Sequence, residues 1–261
     1  MSYSNSYSYK SDYSLENGGL KQLIKKQTRI LAKLLLASFL SLYIAEIYAD
    51  QSCRLPRHFT PWDYDSTAAI DKGKDWRSTQ KTDYWMLSLS WSKAFCDRFE
   101  NDGLPKQLYH QCLHNKFGLV VHGLWAQSRK AGSNVKIHPR NCHDTSAIPA
   151  EQIQKYICEI PSVKLIQKEW EKHGSCDFSH SAQYLSKTSE LFNQLKLPSR
   201  EELLKLEYTS WKKVKQRIIQ LNRSLGLNSE HVFVKFRKNR LQEVRVCYDL
   251  RYQFTSCKQQ L

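Results

Sequence analysis

No apolar run in this 261-residue chain is long enough to cross a bilayer as a helix. The candidate, residues 34–44, has 11 residues, and a spanning helix needs about 20. The eight cysteines include no Cys-x-x-Cys pair, which argues against a structural zinc site. No internal repeat is visible, and strands and helices do not alternate in a regular βαβ order. Acidic residues are short in number: 25 Asp and Glu stand against 40 Lys and Arg, a formal net charge of +15. Such a surface attracts polyanions. Nucleic acid is the obvious candidate, but anionic membranes and cell walls fit the charge equally well.

Residues 1–29 are rich in Ser, Tyr and Lys without apolar periodicity and read as disordered. The run 34–44 follows Lys25, Lys26, Arg29 and Lys33, so it reads as the apolar region of an export signal, with cleavage after Ala49. Without residues 1–49 the chain keeps 34 basic and 22 acidic residues, a net +12. All eight cysteines (53, 96, 112, 142, 158, 176, 247 and 257) follow the signal. An even count behind an export signal predicts disulfides and a secreted or periplasmic protein. Their spacing alone does not choose among the possible pairings.

Residues 50–82 read as an irregular arm carrying Trp62, Tyr64 and Trp76, and 83–261 as the main domain. Tyr84 to Trp91 alternates as a strand, with Leu119–His122 as its expected partner. Between them lies a helix-and-loop insert held by Cys96 and Cys112. Residues 128–144 form a basic, turn-rich loop with Lys130, Lys136, His138, Arg140 and His143. Helices are expected from Pro149, over 165–173, over 181–195, after the capping box of Ser199 and Glu202, and over 209–225. In the last, Trp211, Val214, Ile218, Leu221 and Leu225 form the expected core stripe, and Gly226 the stop. Residues 231–236 and 241–250 read as a hairpin turning at Lys238-Asn239-Arg240. The sum is an α+β fold with a central antiparallel sheet and helices packed on it.

Two stretches carry chemistry. Lys168-Glu169-Trp170-Glu171-Lys172-His173-Gly174-Ser175-Cys176 reads as a helix ending at Gly174, with Glu169, Lys172 and His173 on one face. Phe117-Gly118-Leu119-Val120-Val121-His122-Gly123-Leu124-Trp125 reads as a buried strand that ends in a histidine beside a glycine. Each has a plainer reading alone: a solvated charged face closed by a C-cap glycine, and a core histidine bonded to a carbonyl.

Together they resemble the two motifs of the ribonuclease T2 family, His-Gly-Leu-Trp-Pro and His-Glu-Trp-x-Lys-His-Gly-Thr-Cys. Ala126 replaces the proline, Ser175 the threonine, and Lys168 the first histidine of the second motif. The resemblance covers roughly residues 84–257. It implies the same α+β, disulfide-stapled fold and the pairs Cys96–Cys112, Cys142–Cys176 and Cys247–Cys257, which leave Cys53–Cys158. It also implies a metal- and cofactor-free endoribonuclease acting on single-stranded RNA through a 2′,3′-cyclic phosphate. Histidine suits both proton transfers because its ordinary pKa lies near ~6.5. By resemblance His173 is the base and His122 the acid, Lys172 stabilises the phosphorane, and Glu169 orients Lys172 or His173 or bonds a phosphoryl oxygen. Trp125 would stack on a base and Lys168 hold phosphate. DNA would not be cleaved for lack of a 2′-hydroxyl. A monomer without stable membrane insertion is expected. Two other classes stand beside this: an inactive RNA- or polysaccharide-binding module, against which the intact His122, Lys172 and His173 argue, and a metal-dependent hydrolase with Glu169 and His173 as ligands, for which no further ligand set is evident.

Overall fold

The alternation in Tyr84–Trp91 does form a strand, β1, but both of its faces are buried. Trp85, Leu87, Leu89 and Trp91 enter the main core. Tyr84 and Met86 enter a smaller cluster on the other side, with Cys247 and Cys257. The computed structural model describes residues 26–27 and 53–257, except 58, 101 and 133. The export signal expected over 1–49 therefore lies outside the described residues, apart from Lys26 and Gln27, which are helical and exposed.

Three further strands complete one sheet. They are β2 (Leu119–Gln127), β3 (Val232–Arg237) and β4 (Arg240–Tyr248). The order is β2-β1-β4-β3, and every pair is antiparallel. The β3–β4 hairpin turns at Lys238 and Asn239, both with φ near +50°, the backbone that a tight two-residue hairpin needs. β2 corrects the sequence reading: it does not stop at His122 but runs on to Gln127. Ala126 therefore sits not in a turn but in the ladder opposite Trp85, fully buried.

Eight α-helices surround the sheet in the described residues: α1 (Ser66–Asp71), α2 (Ser92–Cys96), α3 (Tyr109–Cys112), α4 (Ala150–Tyr156), α5 (Val163–Lys172), α6 (Ser181–Gln194), α7 (Arg200–Leu206) and α8 (Trp211–Leu221). α5 lies against β2 and starts at Ser162, whose hydroxyl accepts from Leu165 N at 3.3 Å. The capping box of Ser199 and Glu202 is complete. The α8 stripe is shorter than expected. Val214 and Ile218 are buried, but Trp211 and Leu225 are each 46% exposed. Asn222 ends the helix by turning its buried side chain onto Ile218 O and the Lys196 backbone. The chain then tightens into a 3-10 turn, and Leu227 fills the core place intended for Leu225.

Disulfides join Cys53–Cys158, Cys96–Cys112, Cys142–Cys176 and Cys247–Cys257: the three pairs that the family resemblance implied and the one that they left over. The arm, residues 53–82, belongs to the same compact unit as the sheet. Ser78 pairs with Arg140 in an isolated antiparallel bridge, which draws the basic loop and the arm together beside the end of α5.

Candidate active site

A β-bulge places the first histidine. Ser88 on β1 faces Gly123, and Leu89 faces Val121, so His122 has no partner across the ladder. An unpaired residue of this kind bends its strand and re-aims its side chain. His122 thus sits inside β2 rather than at its end. Glycine at 123 has a steric reason: a Cβ there would collide with Glu169 Oε2 and approach Trp125 Nε1 to 2.9 Å. The carboxylate of α5 lies directly on the backbone of β2.

The second histidine sits just outside the helix expected to carry it. α5 ends at Lys172, and His173 is its C-cap residue, with φ −125° and ψ −43°. Its N–H still donates to Glu169 O at 3.1 Å. Asn141 N, from the basic loop, satisfies Lys172 O at 3.0 Å. Ser175, the residue standing for threonine, donates its hydroxyl to Glu171 O at 2.6 Å. Gly174 is not a left-handed cap as read from the sequence. It is a glycine because a Cβ would lie 2.5 Å from the Trp170 ring and 2.6 Å from that of Tyr184.

Glu169 is the centre of the cluster. Its Oε2 accepts from Trp125 Nε1 at 2.6 Å. His122 Nε2 stands 3.8 Å from its Oε1 and His173 Nε2 3.9 Å from its Oε2. The Trp125 ring lies between the two imidazoles, 5.1 Å from His122 and 5.8 Å from His173 by ring centres. Thus His122, Trp125, Glu169, Lys172 and His173 are brought together. Lys168 lies one turn back along α5, with Nζ 5.2 Å from the Tyr64 ring centre, and lines the same cleft as His122.

Each histidine has partners that the sequence did not reveal. His122 Nδ1 donates to Glu243 Oε1 at 3.0 Å. Arg245 holds the other Glu243 oxygen at 2.6 Å. The Glu243 carboxyl falls to about 2: burial opposes ionisation, but His122 and Arg245 overcome it. An ionised acceptor fixes Nδ1–H as the donor and leaves His122 Nε2 toward the cleft. Burial works against protonation of His122 as well, yet the bond to Glu243 and the charges of Glu169 and Glu243 raise it above 6.5. His173 is 8% exposed and shifts the opposite way. Burial first, then the charges of Arg140 and Lys172, hold it well below 6.5.

The source of that positive field is a second unexpected group. Asp75, from the arm, binds Arg140 Nε at 2.7 Å and Lys172 Nζ at 2.8 Å, and accepts from the Tyr64 hydroxyl. Burial disfavours its charge, but Arg140, Lys172 and Tyr64 together keep the carboxyl far below its usual range. Arg140 Nη1 then comes within 3.5 Å of His173 Nε2, and its guanidinium lies 4.3 Å over the Trp76 ring. Burial and Arg140 lower the Lys172 ammonium, and Asp75 partly offsets this.

Two pockets open beside this cluster. One, of about 440 Å³, is lined by His122, Glu243, Lys164, Lys168, Lys235 and Arg237 among others. The second, of about 220 Å³, is lined by His173, Trp125, Trp76, His138, Arg140 and Arg245 among others. Among the described residues, no group of three or more His, Cys, Asp and Glu is arranged to hold a metal ion. No helix among them is long and apolar enough to cross a membrane.

Residues 82–257 match the sequence model of the Ribonuclease T2 family. The chain belongs to that family. A probable ribonuclease of Haemophilus influenzae is 41% identical over 181 residues, covering 67% of this chain and 61% of that protein. A ribonuclease of Aeromonas hydrophila is 30% identical over 120 residues, 45% of this chain and 48% of its own. The chain therefore spans less than two thirds of the length of either relative. Among solved structures, an RNase-related protein from Calystegia sepium is 19% identical, with 68% of this chain and 91% of that chain covered and a TM-score of 0.49. RNase NT in complex with 5′-AMP is 20% identical over the same shares, with a TM-score of 0.45.

Proposed function

We propose that this member of the ribonuclease T2 family is a metal-independent endoribonuclease that cleaves single-stranded RNA through a 2′,3′-cyclic phosphate. The observation that carries this is the opposite bias of two histidines on either side of one carboxylate. A neutral imidazole is a general base, and a protonated one a general acid. His173 Nε2 takes the 2′-hydroxyl proton. The 2′-oxygen bonds to phosphorus as the bond to the 5′-oxygen breaks. His122 Nε2 gives its proton to that leaving oxygen.

Lys172 and Arg140 oppose the charge that builds on the phosphorane, from positions already fixed by Asp75. Glu169 orients both imidazoles and is itself held by Trp125. A base stacks in the pocket lined by Trp125 and Trp76, and Lys168 meets phosphate in the pocket that holds His122. Because the nucleophile is the substrate's own 2′-hydroxyl, DNA is not cleaved. The four disulfides support a secreted or periplasmic setting.

The test is incubation of the oxidised protein with RNA and with DNA in EDTA, with the product ends identified. Cyclic phosphate ends from RNA alone are expected. Activity lost in EDTA and regained with zinc would establish the metal-dependent alternative instead.

A further inference from the structure

Lys164, Lys168 and Lys172 recur every four residues along α5 and so share one face of it. Each lies over an aromatic ring of the arm. Lys164 Nζ is 5.3 Å from the Trp62 ring centre, and Lys168 and Lys172 are 5.2 and 4.8 Å from that of Tyr64. The two rings are 6.0 Å apart. Successive lysines are about 6 Å apart along the helix axis, comparable to the spacing of phosphates in an extended single strand. The stripe starts at the reaction centre with Lys172 and leads away from it.

It ends in a cavity that the chemistry does not use. This groove, of about 820 Å³, is lined by Phe59, Trp62, Tyr109, Arg57, Lys106 and Lys164 among others. Ser162 and Lys164 line it and also line the pocket that holds His122. The two cavities therefore meet at the start of α5. Half-buried aromatic rings interleaved with exposed cations suit stacked bases and a tracked backbone.

We infer that this groove is a distal binding site for the same single-stranded RNA, occupied by nucleotides several positions from the scissile bond and reached along the α5 lysines. The inference rests on the ribonuclease reading above and adds the substrate's length to it. Phosphates lie along Lys168 and Lys164, and bases stack against Trp62 and Tyr109. Arg57 and Lys106 meet the backbone at the far end.

The test compares kcat/KM in EDTA on a dinucleoside monophosphate and on an RNA oligonucleotide about eight nucleotides long. The native protein is expected to prefer the longer substrate by about ten-fold or more. Arg57→Glu combined with Lys106→Glu, both exposed positions at the far end of the groove, should abolish that preference and lower the salt dependence on the longer substrate. The dinucleoside rate should remain within about two-fold. Trp62→Ala should do the same without the change in salt dependence, and the charge variant carries the test alone if Trp62→Ala fails to fold. Equal efficiency of the native protein on both substrates overturns the distal site and leaves the ribonuclease reading standing. Variants that lose both substrates equally also overturn it. Cleavage of neither substrate by the native protein overturns both.

Discussion

Gly123 and Glu169 meet so closely that no side chain fits between them. The Glu169 carboxylate is seated on the bare backbone of β2, and this fixes its distance from both histidines. Gly123→Ala must push Glu169 aside and break its bond to Trp125. Turnover on a dinucleoside substrate is expected to fall by roughly 10²-fold or more, with the far-UV circular dichroism spectrum unchanged. Full activity in this variant would mean that Glu169 does not need its present position.

In the proposed mechanism the opposed histidines set the pH profile. His173 must be neutral to accept a proton, and it titrates well below 6.5, so the acid limb of kcat/KM lies below that value. His122 must be protonated to donate, and it titrates above 6.5, so the alkaline limb lies above it. Arg140→Gln removes a positive charge beside His173 and should move the acid limb upward. Glu243→Gln removes the anion bonded to His122 and should move the alkaline limb downward. Limbs that stay fixed in both variants would contradict the assignment of acid and base.

A third carboxylate has a stability role. Glu171, on α5 away from the cleft, is fully buried against Ser66 and Gln167. Burial, with a hydrogen bond to Asp144, raises its carboxyl from 4.5 to about 7. The folded state thus holds a proton that the unfolded chain has released between these values. The contribution of this group is full below 4.5 and is lost as pH rises to about 7, on the order of 3 kcal/mol. Glu171→Gln keeps a donor for Asp144 and should remove that slope, so it should be more stable than the native protein at pH 8. Urea unfolding at pH 5 and pH 8 measures this, and an unchanged slope would refute it.

The arm is held to the domain by Cys53–Cys158, which spans a sequence separation of 105. Replacing both cysteines by serine should lower stability by about 4 kcal/mol, as expected for closing a loop near that length. Denaturant unfolding checks the value. An unaltered midpoint would show that the arm is held by packing alone.

Part of the candidate site was legible because it is local in sequence. Glu169, Lys172 and His173 sit within five residues, and a helical period brings them together. The residues that tune them were not legible. Asp75 lies in a polar segment without periodicity, Arg140 in a basic loop that reads equally as substrate-facing or as solvated, and Glu243 in a strand whose pattern does not single it out. Only tertiary packing turns these three inward. The strand, hairpin and most helix positions followed from alternation and capping signals. The early end of α8 did not, because it depends on Asn222 reaching the distant Lys196 backbone.

The bulge at His122 leaves β2 with two alternations out of phase. Leu119 and Val121 point into the main core, and so do Leu124 and Ala126, three residues after Val121 instead of two. A chain one residue shorter here would alternate without a break and form the more regular strand, without the proposed proton donor. Sheet pairing and the proposed proton transfer thus favour different lengths of the same segment. Variants of β2 selected for thermal stability alone are expected to drift toward the shorter, inert strand.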